Sequence, residues 1–385
     1  MSGLFMDTYK RTGLVLAKGQ GARVWDEAGA AYVDFASGIG VNSLGHGHPA
    51  LVAAISAQAS KLIHVSNYYD SGPALALSAE LCGDAGYDAV FMCNSGTEAN
   101  ECAIKIARKR GNAARDGRSR IVTLVGSFHG RTMGALSATG QDKLHANFQP
   151  FLPGFAHVPP NDPAALDAAL GADTCALFLE PILGEGGVIP LSVEYLRVAA
   201  RLCSERGILL VADEVQSGVG RTGTLLASEQ AGVKPDLVLL AKGLAGGIPI
   251  GAVLACGEAA SVLGRGDHGS TFGGGPLATA AARVVLSTLR QPGFLDAVKA
   301  KGERISRTVS SWNIPIVKEV RGRGLMQGVV VAVPPDKIKA LCLERGLLVL
   351  TAGEDAVRLL PPLVIGEAEI DEGLAALRSA LEAAV

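Results

Sequence analysis

Two residues could do carbonyl and acid–base chemistry if the fold brought them together: Lys242, which follows the apolar run LVLLA (237–241), and Asp213, which ends the run ILLVAD (208–213). A lysine amine can condense with an aldehyde to a Schiff base and later carry protons as a general base. A carboxylate at the end of a strand buried on both faces needs a cationic partner, because an unpaired buried charge is costly. A protonated ring nitrogen would serve. Taken alone, Lys242 reads as a solvated lysine at a strand end, and only its company changes that. Asn94-Ser95-Gly96-Thr97-Glu98 precedes a helical pattern with apolar Ala99, Ala103, Ile106 and Ala107. A glycine-containing loop opening a helix presents free N–H groups and the positive end of the helix dipole to a phosphate. The same residues also make an ordinary helix cap. Ser127-Phe128-His129-Gly130-Arg131 combines an aromatic ring with a guanidinium suited to a carboxylate. The alternative places Phe128 in the core and Arg131 in a surface ion pair.

The elements that must position these residues are short apolar runs alternating with helical stretches: AVFMC (89–93), RIVTLV (120–125), CALFLE (175–180), ILLVAD and LVLLA. Runs apolar on both faces and joined by helices predict an α/β fold built on a mainly parallel sheet. Ligands of such sheets bind beyond the carboxyl ends of the strands, where all four polar clusters fall. Upstream, GARVWDEAGAAYVDF (21–35) predicts a hairpin around Asp26–Gly29. After about Pro276 the pattern becomes helix-rich, with strands near 328–333 and 347–350, which predicts a smaller C-terminal lobe.

Composition narrows the function. The 385 residues are 48% hydrophobic and 19% charged, enough for a large core. Lys plus Arg (35) nearly balances Asp plus Glu (37) without a basic run, which argues against nucleic acid or an anionic membrane as partner. Met1–Arg11 lacks the apolar stretch of a signal peptide and no later run approaches the roughly 18 apolar residues of a membrane span, so a soluble, cytoplasmic protein is expected. The seven cysteines have no metal-ligand or redox spacing and read as core residues in a reducing compartment. Gly218-Val219-Gly220-Arg221-Thr222-Gly223 fits the dinucleotide fingerprint, but Asp213–Gln216 separate it from its strand and no ribose-binding acid follows; a flexible loop beside the site is expected instead. His46 and His48 flank Gly47 without further ligands nearby, so no metal is expected. No G-x-S-x-G elbow or P-loop lysine motif is present.

The ordered set NSGTEANE, FHGRT, EPILGEGG, LLVADEVQSGVGRTG, AKGLAGGIPIGA, HGSTFGG and VRLLPPL resembles the class III pyridoxal-phosphate aminotransferases, from about Tyr9 to the C-terminus. Within that class, GIGVNSLGHGHP and VRGRGLMQG are most similar to the acetylornithine aminotransferase branch. The resemblance implies fold type I, with an N-terminal segment (1–60) contributing to a small domain, a large cofactor-binding domain (61–275) and a C-terminal small domain (276–385). It also implies a homodimer with active sites at the subunit interface. By position, Lys242 matches the lysine that carries pyridoxal 5'-phosphate and Asp213 the partner of its ring nitrogen. Gln216 matches the contact to the phenolic oxygen, Gly96 and Thr97 the phosphate loop, Thr271 a phosphate ligand from the neighbouring subunit, and Phe128 the stacking ring. Ser270 and Arg131 match substrate contacts. The class usually has Gln where this chain has Leu183 and Asn where it has Gly275, which puts fine substrate geometry in question.

An enzyme of this kind must accept a terminal amine and the α-amine of glutamate in one cavity. The expectation is that Arg131 holds the carboxylate remote from the reacting amine, that Arg358 binds the α-carboxylate of glutamate or 2-oxoglutarate, and that Glu185 pairs with Arg358 when no carboxylate is there. The alternative is a permanent structural ion pair. The substrates expected are acetylornithine and 2-oxoglutarate, as in arginine biosynthesis, with succinylornithine, ornithine or 4-aminobutyrate as rivals. Ornithine-specific relatives usually carry a tyrosine near the positions of Gly38 and Ile39, and this chain does not. An aminomutase would need no such charge gate, and a non-catalytic relative would be expected to lack Lys242 or Asp213.

Overall fold

The computed structural model describes residues 4–113 and 117–385. The chain opens with three antiparallel strands, β1 (Leu16–Gln20), β2 (Arg23–Asp26) and β3 (Ala31–Asp34). The β2–β3 hairpin turns at the expected place because Asp26 Oδ1 accepts the Ala30 N–H at 2.8 Å, and Gly29 takes a positive φ of 86°.

The large sheet follows, built from β4 (Ala89–Cys93), β5 (Arg120–Leu124), β6 (Phe155–Val158) and β7 (Thr174–Leu179). After β7 comes a small hairpin, β8 (Ile182–Leu183) and β9 (Ile189–Pro190), and then β10 (Leu209–Asp213), β11 (Leu237–Leu240) and β12 (Gly251–Ala255) complete the sheet. Its order is β4-β12-β11-β10-β7-β5-β6, parallel throughout except for β12, which runs against both neighbours. Asp213 and Lys242 therefore leave adjacent strands at the same edge. Two of the seven strands escape the apolar pattern. β6 is four residues long between Pro153 and Pro159, and β12 (GAVLA) lies in a glycine-rich stretch. Gly251 is required in β12, since a Cβ there would lie 2.4 Å from the Ser95 carbonyl oxygen.

Helices cover both faces. Helix Gly96–Ala113 buries Ala99, Cys102, Ala103, Ile106 and Ala107 along one stripe against the sheet. Helix Val193–Arg206 starts at Ser192, whose hydroxyl accepts the Tyr195 N–H at 3.0 Å, and ends at Gly207 in the left-handed region. Helix Pro276–Leu289 packs on helices Pro49–Ala59 and Gly72–Ala85 and on the turn Lys242–Ala245, so the base of the lysine loop is walled by residues distant in sequence.

The last part of the chain contributes β13 (Val317–Arg323), β14 (Met326–Val331), β15 (Leu347–Leu348), β16 (Leu350–Ala352) and β17 (Ala356–Leu359). β15 pairs in parallel with β3, joining both ends of the chain in one sheet, while β13-β14-β17-β16 form another. The glycine-rich segment expected as a flexible loop is instead held fast. Ser217, Val219, Arg221 and Thr222 are buried, and Arg221 donates to the carbonyls of Leu325 (3.0 Å) and Pro361 (2.5 Å). It latches the large sheet to the C-terminal strands. His46 and His48 have structural partners: His46 Nε2 lies 2.8 Å from Asp34 Oδ2, and His48 Nδ1 accepts the Leu51 N–H at 3.4 Å at the start of a helix. Among the described residues no helix is long and apolar enough to cross a membrane.

Candidate active site

The carboxyl ends of β4, β10 and β11 open on a cavity of about 320 Å³, within the size range of small-ligand sites. Gly96, Thr97, Phe128, Asp213, Gln216 and Lys242 all line it. Six residues spread over 147 positions of sequence thus converge because each follows a strand of one sheet.

Asp213 is 3% exposed and fully engaged. Its Oδ2 accepts from Asn100 Nδ2 and from His129 Nδ1, both at 2.8 Å, and its Oδ1 accepts the Val215 N–H at 3.1 Å. Burial alone would lower the His129 pKa, but the hydrogen bond and charge of Asp213, with the charge of Glu180, outweigh it and raise the value. Among the described residues His129 Nε2 has no hydrogen-bond partner. Neither Asn100 nor His129 is marked by the sequence reading, although both lie inside the motifs quoted. Asn100 stands one helical turn after Gly96 and could have been placed on the same face.

Lys242 enters from a turn with a positive φ of 39°, a conformation uncommon for a residue with a Cβ and held here by the buried loop around it. Its amine takes no hydrogen bond among the described residues. Burial lowers its pKa from 10.5 to about 8; the charge of Glu185 opposes that and the charge of Arg358 adds to it. The amine therefore changes charge near pH 8 and not near 10.5.

The loop at the start of helix Gly96–Ala113 is both a cap and a cavity wall. Ser95 Oγ accepts the Glu98 N–H at 3.2 Å, and the Glu98 carboxylate accepts the Asn94 N–H at 2.6 Å. Gly96 sits against Val215, whose Cγ1 would be 2.7 Å from an added Cβ. Phe128 is half-buried, and the exposed Arg131 lies over its ring at 5.6 Å from the centroid. Glu180, 2% exposed, accepts the Phe128 N–H at 2.8 Å and the Gly184 N–H at 3.2 Å. Burial raises its pKa to about 7 against the charge of His129.

Beside the cavity, Arg358 donates through Nη1 to Glu185 Oε1 at 2.6 Å and to Gln216 Oε1 at 3.0 Å, while Gln216 Nε2 donates to Glu185 Oε1 at 3.2 Å. Arg358 arrives on β17 and is 2% exposed. Burial would raise the Glu185 pKa, but Arg358 lowers it on balance. Leu183, two residues before Glu185, is wholly buried in an apolar cluster and does not line the cavity.

Ser270 and Thr271 are not brought to this cavity. They line a second one of about 340 Å³, with Gly275 at its edge. Ser270 Oγ accepts from Asn94 Nδ2 at 3.2 Å, so the second cavity backs onto the phosphate-loop candidate, and Thr271 is exposed.

The family model of the class-III aminotransferases matches residues 5–381. The chain belongs to that family. An acetylornithine aminotransferase of Caldanaerobacter subterraneus subsp. tengcongensis is 47% identical over 98% of this chain and 96% of its own length. Among solved structures, N-acetylornithine aminotransferase from Stenotrophomonas maltophilia superposes with a TM-score of 0.86 at 41% identity, covering 97% of each chain. Ornithine aminotransferase from Toxoplasma gondii superposes at 0.95 with 35% identity, over 98% of this chain and 92% of that one. This class-III aminotransferase has the α/β fold of the type I pyridoxal-phosphate enzymes, with a mainly parallel large sheet, and pyridoxal 5'-phosphate is its cofactor. The residues present suit that group. A buried carboxylate fixed by Asn100 and His129, an aromatic ring, a desolvated lysine without a hydrogen bond and an opened helix start surround one cavity.

Proposed function

We propose that this chain transfers the terminal amino group of N2-acetyl-L-ornithine to 2-oxoglutarate, reversibly, as a cytoplasmic homodimer serving arginine biosynthesis. The observation that carries the reading is the Arg358–Glu185–Gln216 ring beside Lys242, a guanidinium whose carboxylate partner belongs to the protein and can yield to a substrate carboxylate. The relatives that match at 45–47% identity over nearly the whole chain, named acetylornithine aminotransferases, support it.

When bound, the cofactor supplies an aldehyde that takes up the amino group and a ring that accepts the electron pair left on the substrate carbon. Asp213 would hold the ring nitrogen protonated, and Asn100 and His129 fix the orientation of its carboxylate. Gly96 and Thr97 would hold the phosphate with free N–H groups at the helix start. Phe128 would stack on the ring and Gln216 would contact the phenolic oxygen. Lys242 would carry the cofactor, and its amine, once released, would take and return the proton that moves between the two reacting carbons. Arg131 would hold the carboxylate remote from the reacting amine, assisted by Ser270, while Arg358 would release Glu185 to bind the α-carboxylate of glutamate.

Thr271 of the partner subunit would complete the phosphate site, which agrees with its placement outside this chain's own cavity. Ile63, Tyr68 and Tyr69 and also Phe272 are exposed around the second cavity, Tyr68 to 95%, an apolar face of the kind that subunits cover. An ornithine substrate is a second reading, favoured by the Toxoplasma likeness. Against it, Val41 rather than a tyrosine lines the cavity from the 37–41 segment, and no tyrosine is among the lining residues. The ion pair argues against an aminomutase, which has no second substrate to admit.

The test is a single-turnover panel of acetylornithine, succinylornithine, ornithine and 4-aminobutyrate, following the visible absorbance of the loaded enzyme. Acetylornithine is expected to react fastest. Faster reaction of free ornithine or 4-aminobutyrate would refute the assignment.

A further inference from the structure

Glu180 stands at the end of β7, where neither of its oxygens touches a cation directly. Its Oε1 accepts the N–H of Phe128 at 2.8 Å and its Oε2 the N–H of Gly184 at 3.2 Å. These two amides belong to the two arms of the site. Phe128 carries the ring under Arg131, with the guanidinium 5.6 Å from the ring centroid. Gly184 begins the turn that carries Glu185, and its backbone is pressed on Gln216, whose amide atoms would lie 2.3 to 2.8 Å from a Cβ at that position. Gln216 in turn holds both Glu185 and Arg358.

We propose that Glu180 is a positioning residue whose single carboxylate clamps the Arg131 arm and the Arg358 arm to one strand end, so that both carboxylate-recognition sites keep a common register with the cavity. Accepting an N–H on each oxygen suits the ionised form, which is acceptor-only on both oxygens, so the variants are compared above about pH 7, the value to which burial raises this carboxyl. Glu180 is 2% exposed, so its carboxylate rather than bulk solvent serves the two amides. A glutamine of the same shape can serve one amide but must turn an NH2 donor toward the other. The substrate roles of Arg131 and Arg358 rest on the function proposed above; the clamp itself does not.

The test uses Glu180→Gln in full-length protein, with two readouts. In the cofactor-free protein, amide hydrogen exchange should quicken in peptides covering 126–131 and 182–187 while β7 itself stays protected. A general loss of stability would quicken β7 as well and would overturn the proposal, as would unchanged exchange in either arm. In the loaded enzyme, the glutamate and acetylornithine half-reactions should both slow at least tenfold, the fold-change of about one charged hydrogen bond. If both arms loosen and neither half-reaction moves, Glu180 positions nothing that matters and the idea fails. Glu180→Asp keeps the charge but is one methylene too short to span both amides, so it should show the same paired pattern and serves if the glutamine variant does not fold. Should the Arg358→Ala control slow both half-reactions alike, the substrate reading falls while the exchange result still judges the clamp.

Discussion

Replacing Arg358 with alanine should separate the two half-reactions of this enzyme. The guanidinium is 2% exposed and holds Glu185 at 2.6 Å and Gln216 at 3.0 Å, so a substrate carboxylate displacing Glu185 would meet a desolvated, already oriented cation. Truncating one partner of such a buried charged pair costs about 2–5 kcal/mol. At about 1.4 kcal/mol per tenfold, kcat/KM for glutamate should fall roughly 30-fold to several-thousand-fold. With acetylornithine, on the proposed roles, no carboxylate would reach Arg358. The loss is then limited to what Glu185 suffers alone, and Glu185 is 29% exposed at its side chain and keeps the Gln216 Nε2 donor. That loss should stay below about tenfold, because a partly solvated charge is screened. The assay is stopped-flow single turnover with each amino donor separately. Equal losses in both half-reactions would refute the gate and leave Glu185–Arg358 a structural ion pair.

Because burial lowers Lys242 to about 8, uptake of pyridoxal phosphate by the cofactor-free protein, which needs the neutral amine, should rise with pH with a midpoint near 8; a midpoint near 10.5 would count against the desolvated site. By linkage, the fold releases this proton before the unfolded chain does, so this lysine's penalty on stability lifts as pH climbs from about 8 to 10.5, and Lys242→Met should abolish that part of the Tm profile. His129→Leu deprives the buried Asp213 of a hydrogen bond to its charge, worth about 1.5–3 kcal/mol, so cofactor affinity should weaken roughly 10- to 150-fold by titration; unchanged affinity would remove His129 from the site. Gly96→Ala drives a Cβ to 2.7 Å from Val215 Cγ1 and should cost about 1–3 kcal/mol in overpacking, with weaker cofactor retention. Adding Val215→Ala should relieve it, and failure of that rescue would mean that Gly96 is needed for another reason.

The chemistry-bearing strand ends were legible in the sequence because a strand buried on both faces has almost no polar residues. Asp213 and Lys242 therefore stood out against LLVA and LVLLA, and the motifs around them placed the chain in its family. The reversed strand β12 was hidden because GAVLA sits in a glycine-rich stretch, where the need for Gly251 comes from its close approach to Ser95 and is visible only when both segments are in place. The Gly218–Gly223 segment looked mobile from its glycines. It is buried because Arg221 finds carbonyls at Leu325 and Pro361, more than 100 residues away. The same holds for Asn100, His129 and Glu180. Each is an unremarkable polar residue until its donor or acceptor, on another strand end, is known. Local sequence thus specified which residues could react and which elements would carry them. Only the tertiary structure decided which polar groups share a hydrogen bond in the buried space between those elements, since such bonds form across the sheet and leave no spacing in the chain.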